Sequence, residues 1–401
     1  MIFGVNFWNK KKTFEVFLKK DDRWQLHVLC EEEPEAINEA QLLLRLNKTT
    51  HVKVVRHRAL SSAAASEMVV YEATANPPKE KPIVVSTPVG ELAVCKVVDD
   101  LYTADARRTI GQVMRDYMQR SNICTTELLH SFSHIRKLQD AQGLVNAAMH
   151  RVGAAQAAAM NVPVKERMTL LDGLLTQCQQ KARNFAAERG NYPEFKGQDL
   201  AGLSTFIQQK VGLEQHDYVL NSLLSVWLFE FRSLLAKVDI LARLAQDNVE
   251  NGMVRHVDAI MADTMIFAEV VQELFAPQPN LGTALKVMGS VVLCRKGIAD
   301  AVTNPTMKII ANLIPQGHLP QTQAALADRL LREINTDRPL DQRAQDQEGA
   351  LLDALVLSLT GEDGTILGGE RTHQSIERRR LRQRQEMLRA QGLHSVADNL
   401  R

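Results

Sequence analysis

One apolar stripe constrains this chain more than any other feature. Between Asp217 and Ala245, the residues Leu220, Leu224, Trp227, Phe231, Leu234, Val238 and Leu241 recur at alternating steps of four and three. That spacing keeps them on one side of a helix. Leu223, Leu228, Leu235 and Leu244 widen the stripe on both flanks, so more than one neighbour must cover it. The stretch reads as one long buried helix, with a shorter helix at 198–211 before it.

The same periodicity returns in three other places. It runs through Val164, Met168, Leu171, Leu175, Cys178, Ala182 and Phe185, and again through Val254, Val257, Met261, Ala268, Val271 and Phe275. It opens a third helix at Leu281, Leu285, Met288 and Val292. Leu128, Phe132 and Ile135 begin another stripe, in a helix expected from Thr125 or Thr126 to about Met160. Repeated four-three spacing favours helices crossing at about +20°. Asn248, Asn251 and Gly252 make a turn short enough to set the flanking helices antiparallel. Residues 104–335 are therefore expected to form a multi-helix, mostly antiparallel bundle.

Residues 1–74 read differently. Phe14, Val16 and Leu18 alternate with polar neighbours, and so do Trp24, Leu26, Val28 and Cys30 after a turn at Lys20–Arg23. This is the period of a half-buried hairpin. A helix opens at Glu31–Glu35, where Pro34 suits a first turn. Two further strands are expected at 51–58 and 67–73, with Val52, Val54, Met68 and Val70 inward. The unit is a small ββαββ domain, one sheet covered on one face by one helix. Residues 75–103, with Pro77, Pro78, Pro82 and Pro88, read as a linker with a short strand at Leu92–Val98. Residues 336–401 read as a polar linker and a basic helical extension from about Glu370 to Ala390. The fold class is α+β overall, mainly α.

Composition narrows the function. The formal net charge of +1 on 401 residues supplies no global field for nucleic acid or an anionic membrane. The five cysteines, Cys30, Cys95, Cys124, Cys178 and Cys294, lie far apart and lack metal-knuckle spacing. They suit a reduced, cytoplasmic protein. The N-terminus puts apolar residues before its lysines, the reverse of a secretory leader.

The motif search finds no phosphate loop, dinucleotide fingerprint, serine elbow or zinc-protease helix. GEDGTILGG at 361–369 reads as a helix–helix loop, and the acidic knot Glu31, Glu32, Glu33 and Glu35 as an exposed helix start. His130 and His134, four apart on one expected helix, are the weak metal candidates, since a third ligand is missing nearby. His150 joins them as a bundle-core candidate, and His256 with Asp258 as a distant complement.

The strongest local charge is the C-terminal helix, with Arg371, Arg378, Arg379, Arg380, Arg382, Arg384 and Arg389 against Glu370, Glu377 and Glu386. Such a helix can dock on an acidic partner or neutralise phosphates. At the other end, Phe7 and Trp8 precede Lys10, Lys11 and Lys12, a pattern that suits a peripheral membrane contact or a docking arm. These observations favour a non-enzymatic interaction or regulatory protein, with no cofactor and no furnished pocket beside Trp227 and Phe231. Its expected ligands are protein partners, a second copy of the chain among them. A nucleic-acid-binding protein using the arginine helix is one alternative. A bundle-core metal or ligand sensor or enzyme is the other.

Overall fold

The computed structural model describes residues 12–20, 23–46, 48–61, 64–74, 83–88, 90, 92–336, 338–343 and 347–400. The chain forms two compact units, Met1–Pro82 and Ile83–Arg401. It is mainly helical with a small β part.

The first unit is a four-stranded antiparallel sheet of order β2-β1-β3-β4. The strands are β1 Lys12–Lys20, β2 Arg23–Cys30, β3 His51–Ser61 and β4 Ala64–Thr74, with helix α1 at Glu33–Arg45. Acidic Glu33 and Glu35 sit in the first turn of α1, where the helix dipole favours them, and Pro34 is in that turn as well. Ala36, Ala40 and Leu43 of α1 pack on Phe14, Val16, Cys30, Val52 and Val54 to make the core.

A register break decides which face the remaining side chains take. Val16 pairs with Val28, but Phe17 pairs with Leu26, so His27 is an extra residue on β2. One inserted residue turns every later side chain to the opposite face. Trp24 and Leu26 therefore leave the core face that their alternation with Val28 and Cys30 predicts. A second break puts Val54 opposite Tyr71 and Val55 opposite Val69, with Val70 between. Val70, Tyr71 and Ala73 pack against the core. Met68, expected inward, is exposed and takes a contact from the Arg56 guanidinium at its sulfur.

The second unit is built from α2 Ala104–Ser121, α3 Thr125–His130, α4 Phe132–Asp140, α5 Gln142–Met160, α6 Val164–Glu188, α7 Leu200–Leu228, α8 Leu234–Asp247, α9 Val254–Thr264 and α10 Ala268–Phe275. It continues with α11 Leu281–Val292, α12 Ile298–Ala301, α13 Pro305–Leu313, α14 Pro320–Ile334, α15 Glu348–Leu359, α16 Gly369–Ala390 and α17 His394–Asn399. Short turns fold α5 on α6 and α8 on α9. Among the described residues, no helix is long and apolar enough to cross a membrane.

The central stripe is buried as its spacing requires, with Leu220, Leu224, Val238 and Leu241 fully covered. The helix carrying it is not continuous. It breaks at residues 229–233, where the Ser233 hydroxyl accepts from the Ala236 amide and starts α8 afresh. Ser131 does the same for α4, so the helix expected from Thr125 to Met160 is three helices. Upstream, the short helix expected at 198–211 and the start of the central one are joined in α7 across a kink at Gly212.

Among the described residues of 83–97, none forms a strand. Side chains of the helical unit take carbonyls that a sheet would have used. Arg151 donates to the Val85 carbonyl, Gln156 to that of Ala93 and Arg167 to that of Cys95. The described residues after 335 likewise belong to the helical unit: Leu340, Leu352, Leu355, Leu359 and Ile376 join its main core.

Candidate functional site

The sheet face opposite α1 is built by the bulge at His27. Directly paired residues share a face. One row there is Leu26, Phe17 and Lys53, and the next is Leu29, Glu15, Val55 and Val69. Leu26, Leu29 and Val69 are 50%, 59% and 49% exposed. The Lys53 ammonium lies 5.2 Å from the Phe17 ring centre and 4.6 Å from that of Trp24, a cation–π arrangement that holds both rings on this face. Phe7 and Trp8, the N-terminal candidates, lie outside the described residues.

The arginine helix is only partly a surface. Arg379 is buried and closes the C-terminal end of α14, donating to the carbonyls of Ile334, Glu333, Thr336 and Arg338 and to Glu348. Helix ends leave such carbonyls without partners, so this guanidinium is a structural cap, contrary to its expected role at an interface. Arg380 pairs with Glu377 and Asp353, and Arg389 with Asp398. Arg382 is half-buried. Arg378 and Arg384 remain exposed.

His130 and His134 fall in different helices, because Ser131 separates them. The His130 ring is buried between Tyr102 and Tyr218, with Nδ1 2.7 Å from the Thr126 carbonyl. Burial pushes its pKa down to about 3. The His134 ring lies instead on Phe229, its pKa lowered to about 4, again chiefly by burial. Two rings held by different aromatic partners do not present one metal-binding face. His256 and Asp258 do not meet at a site either. Asp258 turns to the start of α14 and accepts from the amides of Gln321 and Thr322, both at 2.8 Å.

A closed polar network runs through the helical core. Lys237 donates to Glu127 at 2.6 Å and to the Asn122 carbonyl at 2.6 Å, while Glu127 accepts from the Cys124 amide. Burial outweighs the Lys237 charge and holds the Glu127 pKa above the ordinary carboxylate value. Nearby, Arg107 binds Asp263, which accepts from both the amide and the hydroxyl of Thr126.

Surface clefts are present, contrary to expectation. Trp227 lines one of about 440 Å³ together with Arg189, Tyr192, Glu194 and Glu230. Phe231 does not line it, although its ring meets Trp227 edge-on. A recess of about 150 Å³ beside Arg107 carries Arg108 and Arg332 against Asp105, Asp263 and Asp328, so its charges balance.

One cluster joins residues that the sequence keeps apart. His216 Nδ1 is 2.8 Å from Asp217 Oδ1, and His216 Nε2 is 2.8 Å from Ser204 Oγ. His256 Nε2 is 3.7 Å from the same Asp217 oxygen. Ser204 and His216 are twelve residues apart in α7, and a straight helix would separate them by about 18 Å along its axis. Gly212 closes that distance, with φ 74° and ψ 179°, a conformation essentially confined to glycine. Both imidazoles are buried, whereas the Asp217 and Arg255 side chains are 62% and 66% exposed. Arg255 Nε is 3.1 Å from His256 Nε2.

Several effects set the charge here. Burial raises the Asp217 pKa, but the His216 hydrogen bond and the charges of His256 and Arg255 bring it below the ordinary value. Burial first, and the Arg255 and His216 charges after it, bring His256 down to about 4 against the pull of Asp217. With Asp217 ionised, His216 Nδ1–H donates to it and Nε2 accepts from Ser204. The order serine–histidine–aspartate is that of a hydrolytic relay, yet Ser204 is only 6% exposed and offers little surface to a substrate carbonyl. The adjacent His216-Asp217 pair and Gly212 were visible in the sequence. The approach of His256 from another helix was not.

No family model, curated protein or solved structure matches this chain.

Proposed function

We propose that this chain is a non-enzymatic, cytoplasmic adaptor or regulatory protein whose N-terminal unit binds a partner protein. The observation that carries this reading is the sheet face opposite α1, where Leu26, Leu29 and Val69 stand half-exposed beside Phe17 and Trp24. Covering what remains open of Leu26 and Leu29 is worth about 1 kcal/mol each. The fitting occupant is an amphipathic helix of the partner. A single 13-residue helix, α1, closes the opposite face, and a sheet with two apolar faces is completed by a layer on each. Five unpaired cysteines support the reducing compartment. The arginine helix favours nucleic acid less than its sequence did, because Arg379 is a cap and Arg380 and Arg389 have acidic partners.

The test is affinity capture of the full chain from its native host, with cross-link mapping of the contact. Cross-links should fall on Leu26–Leu29 and Val69, and the Leu26→Glu/Val69→Glu variant should lose the partner. Arg378→Ala/Arg384→Ala should retain it. Loss with the arginine variant and retention with the sheet variant would overturn the assignment.

A further inference from the structure

We propose that His216, Asp217 and His256 bind a divalent transition-metal ion of the zinc class, with Ser204 orienting His216 from behind. One donor atom each from His216, Asp217 and His256 lies within 4.8 Å of the other two, and Asp217 Oδ1 is 2.8 Å from His216 Nδ1 and 3.7 Å from His256 Nε2. Tetrahedral zinc with nitrogen and oxygen ligands needs donor separations of about 3.3 Å. The two separations made by Asp217, 2.8 and 3.7 Å, bracket that value, so small side-chain rotations complete the set. Two imidazoles with one carboxylate suit zinc, cobalt or nickel rather than calcium or magnesium. The exposed side of Asp217 leaves a fourth position for water or a ligand, as in sites with three protein donors.

Coordination needs no net proton transfer at His216. The ring proton moves from Nδ1 to Nε2, and Ser204 Oγ changes from donor to acceptor. A histidine ligand held through its other ring nitrogen is the usual outer-shell arrangement of metal sites. Gly212 provides it by folding Ser204 back onto the ring. The Arg255 guanidinium, 3.5 Å from Asp217, supplies the positive charge that a metal would otherwise bring. It is exposed enough to swing into water, so metal and guanidinium compete for one place.

The experiment uses the full chain, stripped with a chelator and titrated with zinc chloride by calorimetry. One zinc per chain is expected. Asp217→Asn and His256→Gln should each weaken binding by at least ~100-fold, beyond the roughly 10–100-fold effect of an outer-shell partner expected for Ser204→Ala. Arg255→Ala should tighten it. Cobalt should give visible d–d bands without the strong near-ultraviolet band of thiolate ligation, which sets the site apart from the five cysteines. Absence of stoichiometric binding, a thiolate band, or affinity unchanged in both Asp217→Asn and His256→Gln would overturn the proposal. Asp217 is exposed, so its variant tests the site even where His256→Gln fails to fold.

Discussion

Two polar clusters in the helical unit use similar residues and differ in one respect. The side chains of Lys237, Glu127 and Cys124 are all buried, and each hydrogen bond ends on another protein group. Around His216 and His256 the rings are buried as well, but Asp217 and Arg255 open to water. The closed cluster has no approach for a ligand, and its charges can act only on the fold. The open cluster keeps its donors fixed while one side stays reachable. Burial alone therefore does not separate structural from chemical polar groups; access does.

The largest effect should come from breaking the closed cluster. Lys237→Ala leaves Glu127 buried without its counter-charge, which costs about 3–5 kcal/mol. Denaturant unfolding should show that loss, and Glu127→Gln added to it should recover a large part. If the single variant unfolds with wild-type stability, Glu127 is not enclosed as described. The open cluster should respond to Gly212→Ala. A side chain forced into the glycine-only conformation costs about 1–3 kcal/mol, although open space surrounds the position. The same variant should weaken zinc binding, because Ser204 no longer seats on His216.

Taken per pH unit, the smallest effect is a slope of stability with pH, and it belongs to the closed side of the comparison. His130 faces Tyr102 and Tyr218 and feels the charges of Arg107 and Lys181. Its pKa is about 3 folded against 6.5 for the free side chain. The folded state therefore resists a proton that the unfolded chain accepts. This contribution is complete above pH 6.5 and is lost as pH falls from there toward 3, at about 1.4 kcal/mol per unit. Urea midpoints at pH 7.5, 6 and 5 should fall accordingly, and His130→Asn should flatten the slope by one proton. An unchanged slope would show that His130 titrates normally.

Much of this architecture was legible. The four-three stripes named the buried faces of α7, α8 and α9, because burial follows local periodicity; in α6 only Cys178, Ala182 and Phe185 of the stripe are buried, while Val164 is exposed and Leu174, off the stripe, is buried. Helix continuity was less legible: Ser131 and Ser233 are single capping hydroxyls inside apolar runs, and their effect depends on the chain turning there. The His27 bulge was invisible, since Trp24, Leu26, Val28 and Cys30 alternate without a fault. Only cross-strand pairing shows that Trp24 and Leu26 change face. Arg379 looked like its neighbours in a basic helix, and nothing local distinguishes a cap from a solvated charge.

By itself the sequence determined the helical character, the separate N-terminal sheet unit and most of the core, all consequences of hydrophobic spacing along the chain. Tertiary structure decided which charges meet. Asp217 and His256 are 39 positions apart, and Arg379 reaches carbonyls more than 40 positions away. Such contacts depend on directional distances of a few ångströms between elements, which no period within one element encodes.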